Sequence, residues 1–168
     1  MYSSSGKVDE DHIRGKDREA CKLFLCPMNA LSLEIINAVV PYHVKESVEE
    51  GFYEFFTIHD VHCSIGFVED DILMKEDAYQ LIIANVNHRA SPRDAKVRDT
   101  VLAIVDEFFR VNNTTLLYIC ETGDGKQSMR NRLFQYWFAS YSHKALFTML
   151  SASIVDADGV VNYSIDYS

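Results

Sequence analysis

Three cations, Lys126, Arg130 and Arg132, crowd the opening of a helix that the sequence predicts from about Gly125 to Tyr141. A short apolar strand, Thr114 to Cys120, and a turn holding Gly123 and Gly125 come directly before it. A helix start already carries free amides and a partial positive charge, so each added cation there costs roughly a few tenths of a kcal/mol. An anion is expected to compensate. It comes either from the chain itself, as an ion pair with Glu121, Asp124 or Asp99, or from outside, as a bound phosphate or carboxylate. Arg130 lies four residues before Phe134 and eight before Phe138, which puts it on their inward stripe. The expected anion-binding set is therefore Gly123, Gly125, Lys126 and Arg130. The two glycines can form a backbone nest for an anion, and they equally supply the left-handed angles of a tight turn.

The other reactive side chains do not assemble into a catalytic set, and the catalytic residues stay unknown. Gly123-Asp124-Gly125-Lys126 lacks the spacing of a Walker phosphate loop, and Gln127 stands where the hydroxyl should be, which argues against nucleotide hydrolysis. His59, His62 and Cys63 could collect zinc by composition. On a strand, however, His62 and Cys63 point to opposite faces and would not share one ion, so no metal site is expected. Cys120 ends the apolar strand beside the helix opening and reads as a small core residue; as a nucleophile it would lack a placed base. Glu121 and Asp124 suit ion pairing better than general acid and base work.

A chain of 168 residues, 48% hydrophobic and 12% aromatic, can bury one sizeable core. Its net charge of −9 opposes broad binding to nucleic acid or to anionic membranes. Cys21, Cys26, Cys63 and Cys120 show neither CxxC spacing nor a dense framework, which suits free thiols in a reducing compartment. With no apolar run of signal-peptide or membrane-span length, the expected location is cytoplasmic.

These side chains must be positioned by a single α+β domain over residues 28–168, preceded by a polar, flexible extension over 1–27. Met28, Leu31, Ile35 and Val39 recur at helical spacing up to Pro41, predicting a short helix. The period then becomes two: Tyr42 and Val44, Phe52 to Ile58, the series Val61, Cys63, Ile65 and Phe67, and Tyr79 to Asn87 read as an antiparallel meander. Ser91-Pro92-Arg93-Asp94 offers a serine cap and a proline at the first helical position. The stripe Val97, Val101, Ile104, Val105 and Phe108 follows, and Asn112-Asn113 can end the helix in left-handed conformation. After the central strand and the cationic helix, Ala145 to Val155 and Val161 to Tyr167 form a hairpin about Asp156 to Gly159. Phe134, Trp137, Phe138 and Tyr141 are expected to bury together, with Tyr136 displaced to another face. The predicted architecture is a mixed, mostly antiparallel sheet in the order meander, helix, strand, helix, C-terminal hairpin.

From Phe52 to Ser168 this layout resembles the acyl-CoA N-acyltransferase (GNAT-like) fold, and Asp124, Ser128, Leu133-Phe134 and Trp137-Phe138 are similar to that family's second-helix pattern. The resemblance implies a coenzyme A derivative as donor. The family's glycine-rich phosphate turn is replaced here by Arg93-Asp94-Ala95-Lys96-Val97-Arg98-Asp99, and its general-acid tyrosine would fall near Phe134, with Tyr136 two positions away. Over about residues 42–168 the wording is also similar to a small bacterial family of uncharacterised proteins. The similarity is carried by Arg98-Asp99-Thr100, Glu107-Phe108-Phe109, Tyr118-Ile119-Cys120, Asp124-Gly125, Arg130 to Phe134 and Trp137-Phe138.

Two functions follow as expectations. The first is a non-catalytic binding or regulatory module whose strand-to-helix junction takes a small anionic ligand or an acidic protein segment, with no cofactor, no nucleic acid and no membrane. The second is a GNAT-like acyltransferase, with Arg93, Lys96 or Arg98 replacing the phosphate turn and Tyr136 or Glu121 acting on protons. The oligomeric state is not legible in the sequence.

Overall fold

The computed structural model describes residues 28–69, 78–119, 126–146, 148–155 and 161–167. The expected extension over 1–27 and the turn holding Gly123 and Gly125 lie outside the described residues. Seven strands form one sheet: β1 (Lys45–Glu46), β2 (Phe52–Phe56), β3 (His62–Glu69), β4 (Ala78–Asn85), β5 (Thr115–Ile119), β6 (Met149–Val155) and β7 (Val161–Tyr167). Their spatial order is β1-β2-β3-β4-β5-β7-β6. Every neighbouring pair is antiparallel except β4 and β5, so the sheet is mixed and mostly antiparallel, in an α+β fold. Among the described residues no helix is long and apolar enough to cross a membrane.

Among the described residues three α-helices accompany the sheet: α1 (Leu33–Asn37), α2 (Ala95–Val111) and α3 (Gln127–Ala139). Strand register shows where they lie. Tyr79 pairs with Leu116 and Leu81 with Tyr118, so these four side chains share one face, and Phe67 opposite Leu81 joins them. Phe108 of α2 stacks on Phe67 at 4.3 Å and meets Tyr79 edge-on, while Phe134 of α3 stacks on Tyr118 at 4.1 Å. Both helices therefore cover the same face. Phe108 is fully buried there, a placement that stabilises by about 1.5–3 kcal/mol for an aromatic of this size.

The expected stripe of α2 packs inward, with Val101, Ile104, Val105 and Phe108 buried and Val97 packed against them. The helix begins later than expected, however. Its cap is Asp94 and not Ser91, because the Asp94 carboxylate accepts from Lys96 N at 2.9 Å and from the buried Tyr42 hydroxyl. At the other end Asn112 closes α2 in extended conformation, not left-handed. Its side-chain oxygen accepts from Asn29 N at 2.9 Å and its amide donates to Phe108 O at 3.0 Å.

The first helix is shorter and differently phased than its apolar spacing predicts. Ser32 caps it, Ile36 is its buried residue, and Ile35 and Val39 are exposed. Leu31 stays buried ahead of the helix, its N–H donating to the Tyr53 hydroxyl at 3.2 Å. Tyr42 and Val44 alternate inward as expected, and Gly51, at φ +80°, makes the turn into β2.

Candidate functional site: two helix starts beside one parallel strand pair

A crevice at the carboxyl ends of parallel strands is where an open sheet offers a ligand free backbone groups. Among the described residues the only parallel ladder joins Ala78–Leu81 to Thr115–Tyr118; beyond it, Ile82 to Asn85 of β4 remain paired to β3. Helix α2 follows β4 and helix α3 follows β5, so the two helices set out from this same region. Their starts are chemically opposite.

At α2 the orphan amides are satisfied from within. The Asp94 carboxylate sits on Lys96 N, and the hydrogen bond from Tyr42 holds its carboxyl below the usual aspartate range. An incoming phosphate would meet a carboxylate already in its place. Helix α3 has the cationic Lys126 at its cap position, no side-chain cap bond from it and no acidic residue in its first turn. Lys126 is exposed and Arg130, one turn on, is half-buried. Phe134 and Phe138 are buried on the stripe expected for them, and Trp137 and Tyr141 pack against the same core. Of the expected anion set, Lys126 and Arg130 are thus placed on the first turn of α3, while Gly123 and Gly125, like Cys120, Glu121 and Asp124, lie outside the described residues. Asp99, one suggested partner for Arg130, accepts from Arg98 Nε at 2.8 Å.

Helix α3 also carries an inversion that spacing alone does not show. Asn131 is buried, whereas Met129, Leu133 and Tyr136 are 54%, 38% and 64% exposed. Tyr136 is displaced from the aromatic core as expected, and it lies near enough to Arg98 of α2 to interact with the guanidinium, after the stronger bond from Asp99.

A groove of about 450 Å³ runs between α2 and the turn after α3, lined by Val39, Arg98, Asp99, Asp106, Tyr141 and His143 among others. The Tyr141 hydroxyl lies 3.3 Å from His143 Nδ1, which is 3.4 Å from Asp106 Oδ1. Burial, and then Asp106, push the Tyr141 phenol far above its usual range. That tyrosine stays protonated at neutral pH and bonds through its hydroxyl. Asp106 lies 37 positions before His143, so spacing in the sequence does not announce this cluster.

On the β2–β3 hairpin, His62 Nε2 is 2.6 Å from Glu54 Oε2 and its ring stacks on Phe56 at 4.4 Å, while Cys63 turns into the core. Lys45 Nζ, 3.1 Å away, completes the Glu54 pair. Burial raises Glu54, but the bonds from Lys45 and His62 outweigh it and leave the carboxyl below its usual range. Among the described residues no three His, Cys, Asp or Glu side chains converge as a metal-ligand set.

Residues 93–166, which run from the start of α2 into the last strand, match the model of a family of unknown function (DUF6169). The expected resemblance to an uncharacterised family is met over this segment, which is shorter than the 42–168 read from its wording. No curated protein and no solved structure matches the chain.

Proposed function

We propose that this chain is a bacterial, cytoplasmic, non-catalytic binding or regulatory module whose β5-to-α3 junction recognises an anion. The observation that carries the reading is the contrast between the two helix starts: α2 is capped by its own carboxylate, and α3 opens on Lys126 with Arg130 a turn away and no acid in between. The helix dipole and two cations then favour the same charge at one place. Cys63 as a free, buried thiol suits a reducing compartment.

Thermal melts against inorganic phosphate, nucleotides and coenzyme A derivatives test the proposal. A ligand at 100 times its dissociation constant stabilises by about 2.7 kcal/mol, and Lys126→Ala and Arg130→Ala should each shrink that shift while the proteins remain folded. Equal shifts in the wild type and both variants, or no shift with any anion, would remove the junction as the site.

The second reading, a GNAT-like acyltransferase, is supported by the strand layout around the short β4/β5 ladder, where a donor could enter beyond Leu81 and Tyr118. Asp94 on the start of α2 weighs against it, because that carboxylate occupies the Lys96 amide and sets a negative charge where a pyrophosphate would lie. Stabilisation by coenzyme A derivatives but not by phosphate or nucleotides would reverse the ranking.

A further inference from the structure

From Gly125 to Val155 the sequence contains Lys126, Arg130, Arg132 and Lys144 and not one Asp or Glu, in a chain whose net charge is −9. Helix α3 lies within this stretch, and its solvent face departs from what an outer helix face normally shows. Exposed residues at positions 128, 129, 132, 133, 136 and 139 follow the helical repeat, and of these only Arg132 is charged. Met129, Leu133 and Tyr136, at i, i+4 and i+7, form a continuous apolar ridge on this face. A flexible thioether, a branched aliphatic and a phenol are the side chains that serve as anchors in protein interfaces.

Resting on the anion reading above, we infer that the outer face of α3 docks an acidic amphipathic segment of a partner protein. Its carboxylates would meet Lys126 and Arg132 while its apolar side chains cover Met129, Leu133 and Tyr136. Charge selects this occupant. A second copy would offer this face the same cations, and Arg132, near the midpoint of α3, would meet its own counterpart in an antiparallel pairing, where like charges across an interface oppose association. An anionic membrane would attract the ridge and its cations but repel the body of a chain at −9. An acidic segment with apolar side chains at helical spacing satisfies both the ridge and the cations.

The test is selection of binders from a random-peptide display library on the full chain, with sequence readout, followed by titration of the enriched peptides against variants. The enriched sequences should be acidic, with apolar residues recurring at three- or four-residue spacing. Leu133→Ser and Tyr136→Ser, both at exposed positions, should weaken them by about tenfold or more, and Arg132→Ala by less. Enriched sequences that are basic or lack apolar spacing, binding indifferent to Leu133→Ser and Tyr136→Ser, or no enrichment at all would overturn the inference. So would sedimentation showing a dimer that Leu133→Ser dissociates, or binding to phosphatidylserine vesicles that Leu133→Ser and Tyr136→Ser abolish. The phosphate melt separates this failure from that of the junction: Leu133→Ser leaves a phosphate shift in place if the junction binds anions, whatever becomes of the peptide.

Discussion

The Tyr42 hydroxyl donates to the Asp94 carboxylate, and that carboxylate caps α2. One buried phenol, on the segment leading into β1, thereby helps fix where α2 begins and holds a carboxylate at its first turn, against outside anions. Replacing Asp94 by Ala should cost about 1 kcal/mol through the lost cap, with a further loss from the buried hydroxyl left without its acceptor. Tyr42→Phe should cost less, since Lys96 N keeps its partner. Denaturant midpoints of the two variants and the double variant measure the order, and a double variant no worse than Asp94→Ala would show that the pair acts as a unit.

Glu107 is a carboxylate at 2% exposure inside α2, accepting from Ser32 N at 2.9 Å and from Arg110 Nε and Nη2 at 2.6 and 2.7 Å. The Arg110 bonds hold it below the usual glutamate range. A depressed folded value means that its contribution is complete above about pH 4.3, the unfolded value, and disappears as pH falls through the folded one. Glu107→Gln should therefore lower stability at neutral pH and flatten the acid limb of a stability-versus-pH curve. Parallel wild-type and variant curves below pH 4 would contradict this.

Gly66 is a position where size decides. A Cβ built there would stand 2.2 Å from Phe52 Cε1, across the β2–β3 ladder where the two residues pair. Gly66→Ala should destabilise by about 1–3 kcal/mol as the ring is driven from its place. Shortening the ring position with Phe52→Leu in the same protein should recover part of that loss, read from thermal or denaturant melts.

Cys63 should behave as an inert core thiol. Burial, then Asp94, push it to about 11, so at pH 8 almost none of it is thiolate. Iodoacetamide followed by peptide mapping should leave Cys63 unmodified in the native chain and modify it rapidly in denaturant. Native labelling at the rate of a free thiol would mean that β3 opens far more often than its packing implies.

The sheet was largely legible in the sequence because strand burial there follows a strict two-residue alternation, as in Val61, Cys63, Ile65 and Phe67, all buried. The stripe of α2 was legible for the analogous reason. Errors arose where a distant partner overrides local chemistry. Ser91 has the better local capping pattern, yet Tyr42, 52 positions away, selects Asp94. Ile35 has the right spacing, yet the Ser32 cap turns Ile36 inward instead. Asn112 can adopt a left-handed angle, but Asn29 pulls it into an extended one. The candidate site was legible as a concentration of cations before an aromatic helix. The outward ridge of α3 was not, because Met129 and Leu133 in a sequence look like core, and only the burial of Asn131 reveals which way the helix is turned.

The strand order has a consequence for how the chain can be assembled. β6 touches the sheet solely through β7, and β7 is also the neighbour of β5. Until residues 161–167 have been synthesised, β5 presents a bare edge and β6 has no strand to pair with. Cutting the polypeptide just ahead of Val161 would thus strip two strands and not one, leaving an adhesive flank beside Thr115–Tyr118 where a neighbouring molecule could insert.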